Sequence, residues 1–139
     1  MGQIRTTITV ENLFDVGKAR AGELTPERVR RETIEGVLVD TGANSLALPA
    51  LMIERLGLQH VRDVVVETAT GVTTARVFGT VWLTVEARSA SFECLELPGG
   101  DQVLLGLLPL ETLGLELDLR NQRMIVLPED GPETFHMLF

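Results

Sequence analysis

Asp40-Thr41-Gly42-Ala43 follows directly on the apolar run Val37-Leu38-Val39. A chain that leaves a buried strand at an aspartate delivers the carboxylate at the strand's end, on a turn, with low-dielectric surroundings behind it. That is the placement of a working acid or base, a group that exchanges a proton with a bound reactant. Gly42 has no Cβ, so the backbone there can take an unusual angle and a substrate or second chain can come close, while Thr41 can tie the turn through its hydroxyl. The same three residue types also build an ordinary strand-ending turn, so the triplet alone leaves both readings open.

Other reactive side chains are few. His60 and His136 are distant in sequence from any nucleophile and no carboxylates gather around either, so both read as surface or tail residues and no metal or cofactor is expected. Cys94 is the single cysteine, which excludes an intrachain disulfide; it reads as a small buried apolar group in a reducing, cytoplasmic setting.

The elements that must position Asp40 are mostly strands. Ile4, Thr6, Ile8 and Val10 alternate with Arg5, Thr7 and Thr9, the period of a half-buried strand that Asn12 interrupts. Residues 15 to 25, with Gly17 and Gly22 among charges and Pro26 behind them, read as a hairpin or surface loop. Charged residues from Glu27 to Glu35 form an exposed strand that dives into Val37-Leu38-Val39. Pro49 to Leu56 has helical spacing with Gly57 as its stop. Val61–Glu67 and Ala75–Ala87 form a hairpin whose thin tip is Thr68-Ala69-Thr70-Gly71-Val72-Thr73-Thr74. Ser91–Leu97 is a further strand, and Val103-Leu104-Leu105 is a second apolar run ending at a glycine, Gly106. A short helix at Pro109–Leu113, stopped by Gly114, and strands at Leu115–Leu119 and Arg123–Leu127 complete the order.

With 139 residues, 45% of them apolar and 23% charged, the chain is a folded domain at 1–127 followed by a C-terminal tail at 128–139. Its net charge of -8 repels a phosphate backbone, and an aromatic share of 4% with no Tyr leaves little for base stacking, so nucleic acid is not an expected partner. No run approaches the roughly 20 apolar residues that span a bilayer, and no membrane contact is expected.

Taken in order, Val39-Asp40-Thr41-Gly42-Ala43, the glycine-tipped hairpin near Gly71 and Leu104-Leu105-Gly106 resemble the retroviral-type aspartic proteases, the retropepsins. The likeness is closer to single-domain bacterial-type members, with Leu46, Leu48 and Pro49 also similar, and it runs from the first strand to Leu127. The resemblance implies an all-β acid-protease fold: a closed barrel of the six-stranded type with one or two short helices and a flap hairpin. It implies that Asp40 is the catalytic aspartate, that Thr41 locks two active-site turns across a dimer, and that Gly42 accepts the substrate backbone. Ala43, Ala69, Thr70, Gly71 and Val72 would touch the substrate, the last four from the flap.

Water activation between two carboxylates needs a pair, whereas this chain holds one Asp-Thr-Gly, so the implied enzyme is a homodimer acting on a peptide or protein substrate. Such a pair shares one proton, which implies a bell-shaped, acid-leaning pH profile. The apolar end Phe135-His136-Met137-Leu138-Phe139 could add a strand to the dimer interface or lie in the cleft. The rival reading is a dimerisation or peptide-binding module of the same fold with little or no turnover, because fold does not fix function.

Overall fold

The alternation at the start of the chain becomes strand β1, Arg5–Asn12, in which Ile8 and Val10 point inward and are fully buried, with Ile4 just ahead of the strand. The computed structural model describes residues 3–97 and 100–128. The tail from Glu129 onward, with its proposed interface strand and His136, lies outside the described residues.

β1 pairs antiparallel with β2, Arg31–Val39, along one edge and with the last part of β5, Gly71–Val85, along the other. From β2 the sheet continues through the short strand β7, Leu104–Leu105, to β3, Leu46–Pro49, then to β6, Arg88–Leu97, and back to β5. Six strands thus close on themselves, the barrel the resemblance implies. β4, Gln59–Thr68, stands outside the ring and, among the described residues, pairs with the first part of β5 alone to make a long hairpin. Ile8, Leu46, Leu48, Leu83 and Leu105 are among the fully buried side chains that fill the interior, together with Leu56 and Leu110 from two short helices.

Residues 15 to 25, read from sequence as a hairpin or loop, are largely helical: α1 runs Leu13–Arg20. The reason lies in Asn12 and Asp15. Asn12 occupies the next inward position of β1, and its side chain accepts from the Asp15 amide while donating to the carbonyl of Leu56 at 2.8 Å. It therefore ends the strand and caps the helix in one step. Asp15 is buried and its carboxylate accepts from the Arg30 amide, Nε and Nη2 at 2.8–3.0 Å, so the polar residues that broke the apparent pattern are satisfied inside.

α2 spans Ala50–Leu56 and α3 spans Leu107–Leu113, each ended by a glycine in the left-handed region, Gly57 at φ 66° and Gly114 at φ 70°. Pro49, expected as the first helical residue, is instead the last residue of β3 and the cap of α2. After α3 a separate ribbon, β8 (Leu115–Asp118) with β9 (Arg123–Val126), packs Leu115, Leu117 and Met124 against the core. Arg88 holds it in place by donating to the carbonyls of Leu113, Gly114 and Leu127.

Candidate active site

β2 hands the chain to Asp40 where it runs beside β7. Leu38 and Val39 run parallel to Leu104 and Leu105, and the Asp40 amide donates to the Leu105 carbonyl at 3.0 Å. Beyond it the turn closes on itself: the Ala43 amide donates to the Asp40 carbonyl at 3.1 Å, and the Gly42 amide donates to Asp40 Oδ1 at 2.9 Å. Asp40 is half-buried and Thr41 and Gly42 are exposed, so the carboxylate is held from behind and open in front. No hydrogen bond to the Thr41 side chain occurs among the described residues.

The second glycine block buttresses this turn. The amides of Leu107 and Leu108 donate to the carbonyls of Ala43 and Asn44, both at 2.9 Å. A Cβ at Gly106 would stand 2.5 Å from the Ser45 carbonyl oxygen and 2.7 Å from the Asn44 carbonyl carbon, so only glycine lets the two backbones meet. The Leu104-Leu105-Gly106 block therefore supports the Asp40 turn, by fixing where residues 40 to 45 lie.

In front of the turn a cleft of about 980 Å³ runs from Gly42, Ala43, Asn44 and Ser45 to the hairpin. The ladder register places Arg62 across from Val77, Val64 across from Ala75 and Val66 across from Thr73, and all six line the cleft. Leu95 of β6, across from Val77, extends that wall. Two Arg–Glu pairs border it. Arg62 holds Glu93 through both guanidinium nitrogens at 3.0 and 2.8 Å, and Arg76 holds Glu96 at 2.8 and 2.7 Å. Arg62 beside it keeps the Glu93 carboxyl below its ordinary range, against the opposing pull of burial.

The hairpin tip is shorter than the sequence implies: β4 and β5 meet at Thr68 and Gly71, leaving Ala69 and Thr70 as the turn. The Thr68 hydroxyl ties it down, donating to the Gly71 carbonyl at 2.9 Å and accepting from the Thr70 amide at 3.3 Å. Ala69, Thr70, Gly71 and Val72 are exposed, and within one chain none of them lines the cleft; Thr68, Thr73 and Thr74 do. Of the residues singled out from sequence, the structure thus gathers Gly42 and Ala43 at the cleft mouth with Asp40 and Thr41 on the same turn, and holds the tip residues apart from them.

Arg62, Val64, Val66, Ala75, Glu93 and Leu95 went unremarked in the sequence. The period-two spacing of Arg62, Val64 and Val66 was the available signal, blurred by the unbroken Val64-Val65-Val66 run. Cys94 also touches the cleft, but burial, with Glu93 and Glu96 adding to it, pushes its thiol up to about 12, which removes it as a nucleophile near neutrality. His60 sits apart in β4, within 2.7 Å of Asp63 and edge-on to Phe78.

Residues 29–112, more than half of the chain, match the family described as gag-polyprotein putative aspartyl protease. That stretch holds the Asp40 turn, the hairpin and the Gly106 buttress. No curated protein matches the chain.

Proposed function

The chain belongs to the retropepsin-like family of gag-polyprotein putative aspartyl proteases, and from that premise we propose that it is a homodimeric aspartic endopeptidase in which each subunit supplies one Asp40. The observation that carries this reading is the Asp40 turn itself. Its carboxylate is braced by the Gly42 amide, its backbone is clamped by Leu105, and the same turn carries Gly42 and Ala43 into the lining of a cleft of about 980 Å³.

The chain has one such turn, and hydrolysis by carboxylates alone needs a base and an acid at once. A twofold axis through the Asp40 turns brings two of them together. The exposed Thr41 hydroxyl, without a hydrogen-bond partner among the described residues, then meets its twin turn. Two carboxylates within a few Å hold a single proton between them. The ionised one takes a proton from water as the water oxygen attacks the peptide carbonyl, and the protonated one gives its proton to the carbonyl oxygen. On collapse of the tetrahedral intermediate the C–N bond breaks, the leaving amine takes its proton from the carboxyl that was protonated by water, and a diol hydroxyl returns a proton to the other carboxylate as the carbonyl re-forms. Ala69, Thr70, Gly71 and Val72, held away from the turn within one chain, would close over the substrate in the dimer and exclude water.

Asp40→Asn tests the proposal. It keeps the size of the side chain and removes its acid–base capacity. We expect loss of peptide cleavage with an unchanged dimer by sedimentation. Hydrolysis that persists in the variant, or a chain that stays monomeric with substrate present, overturns the reading. A dimer that binds peptides and never cleaves them points to the binding module instead.

A further inference from the structure

We propose that the Arg62–Glu93 pair sets the charge selectivity of the cleft, so that the side chain a bound peptide lays against the β4–β6 wall is aliphatic and uncharged. The inference rests on the reading of the cleft as a peptide site and adds what that site selects.

Arg62 on β4 reaches over β5 to Glu93 on β6, and β5 carries Gly79 at this crossing. A Cβ at Gly79 would sit 3.6 Å from the Glu93 side chain and 3.4 Å from Val61. Gly79 thus leaves the Glu93 side chain uncrowded from the β5 side. Their contact is bidentate, which fixes the guanidinium plane and uses both carboxylate oxygens. Along the rest of that face the cleft presents Val64, Val66, Ala75, Val77 and Leu95, with Thr73 beside Val66 towards the hairpin tip, so the wall is mostly aliphatic.

A charged substrate side chain laid beside the pair finds no unpaired opposite charge there, because each member already faces the other in a partly exposed contact; Glu67, further along β4, is the carboxylate of the cleft without an ion pair among the described residues. A Val, Ile or Leu side chain needs no such partner and buries apolar surface. The wall therefore discriminates by penalising charge, and the pair is a latent switch: removing one member leaves the other free to attract a complementary substrate.

The test compares wild type, Arg62→Gln, Glu93→Gln and the charge-swapped Arg62→Glu/Glu93→Arg protein. The probe is a peptide library that is aliphatic, basic or acidic at each position in turn. Cleavage is read by mass spectrometry, and binding is read separately by fluorescence anisotropy in an Asp40→Asn background. At one position we expect Arg62→Gln to favour Lys and Arg over Leu by about fivefold relative to wild type, and Glu93→Gln to favour Asp and Glu by a similar factor, the scale of a partly exposed charge pair. Both shifts should fade in high salt, and the swapped protein should return to the aliphatic preference. Unchanged profiles in both single variants, in cleavage and in binding, overturn the proposal, as does failure of every peptide to bind. If the wild type cleaves nothing while the anisotropy profiles switch as described, the endopeptidase reading fails and the selectivity assignment stands.

Discussion

Replacing Gly106 by alanine adds one methyl group at the point where two backbones are closest, and the outcome follows from the geometry. The new Cβ would stand 2.5 Å from the Ser45 carbonyl oxygen, 2.6 Å from the Ser45 nitrogen and 2.7 Å from the Asn44 carbonyl carbon. Comfortable separations between such atoms are about 3.5 Å, so the segments must part by about 0.8–1 Å. Gly106 has φ -88°, which any residue adopts, so the whole cost is contact and none is backbone strain. Overpacking of this kind costs about 1–3 kcal/mol, and in a domain of this size that lowers Tm by about 4–12 °C. The displaced atoms belong to the segment that continues from Asp40 through hydrogen bonds from Leu107 and Leu108. A shift of about 1 Å in a positioned catalytic group lowers the rate by about a hundredfold. Calorimetry and kcat/KM on one peptide, with dimerisation checked by sedimentation, read both effects. A variant with wild-type Tm and wild-type kcat/KM would show that the Gly106 strand does not buttress the Asp40 turn.

Gly17→Ala is the opposite case: the residue lies inside α1 and a Cβ there meets nothing within 4 Å, so stability should rise by about 0.5–1 kcal/mol in urea unfolding. Asp15 contributes to the acid side of the stability curve. Its hydrogen bonds from the Arg30 side chain outweigh burial and hold the folded carboxyl below its ordinary 3.8, so below that pH the unfolded chain binds the extra proton and stability falls. The contribution is complete above 3.8 and disappears as pH drops through the folded value; the urea midpoint of Asp15→Asn should therefore change less with acidification than that of wild type, and parallel curves would refute the assignment. Cys94, with its thiol raised to about 12 and nearly no exposure, should resist iodoacetamide in the folded protein near neutral pH and react promptly in urea, as intact-mass spectra would show.

The parts of this architecture that could be read from sequence are those that local chemistry dictates. Val37 to Ala43 and Leu104 to Gly106 each combine an apolar run with a turn whose residue types are restricted, and the structure sets them side by side. Helix α1 could not be read this way, because its buried residues are only Val16 and Asp15, and a buried aspartate makes sense only with Arg30 beside it. β3 escaped for a related reason: Leu46 to Pro49 is four residues long and buried throughout, and it becomes a strand by inserting between β6 and β7, which lie some fifty residues away. The Arg62–Glu93 pair closes over 31 residues and β5, with no sequence signal linking its halves. Periodicity identifies which face of a strand is inward and says nothing of which distant side chain completes it.

The order in which the ring is assembled has a consequence for a chain being made. β1 joins β2 on one edge and β5 on the other, and its Ile8 lies opposite Val85, 77 residues further on. At about 5–20 residues per second, the ribosome leaves that second edge unmatched for about 4–15 s, and an open strand edge is a template for any neighbouring nascent chain. During that interval the second edge of β1 is open to another chain, and coexpression with a chaperone that occupies strand edges would act on it.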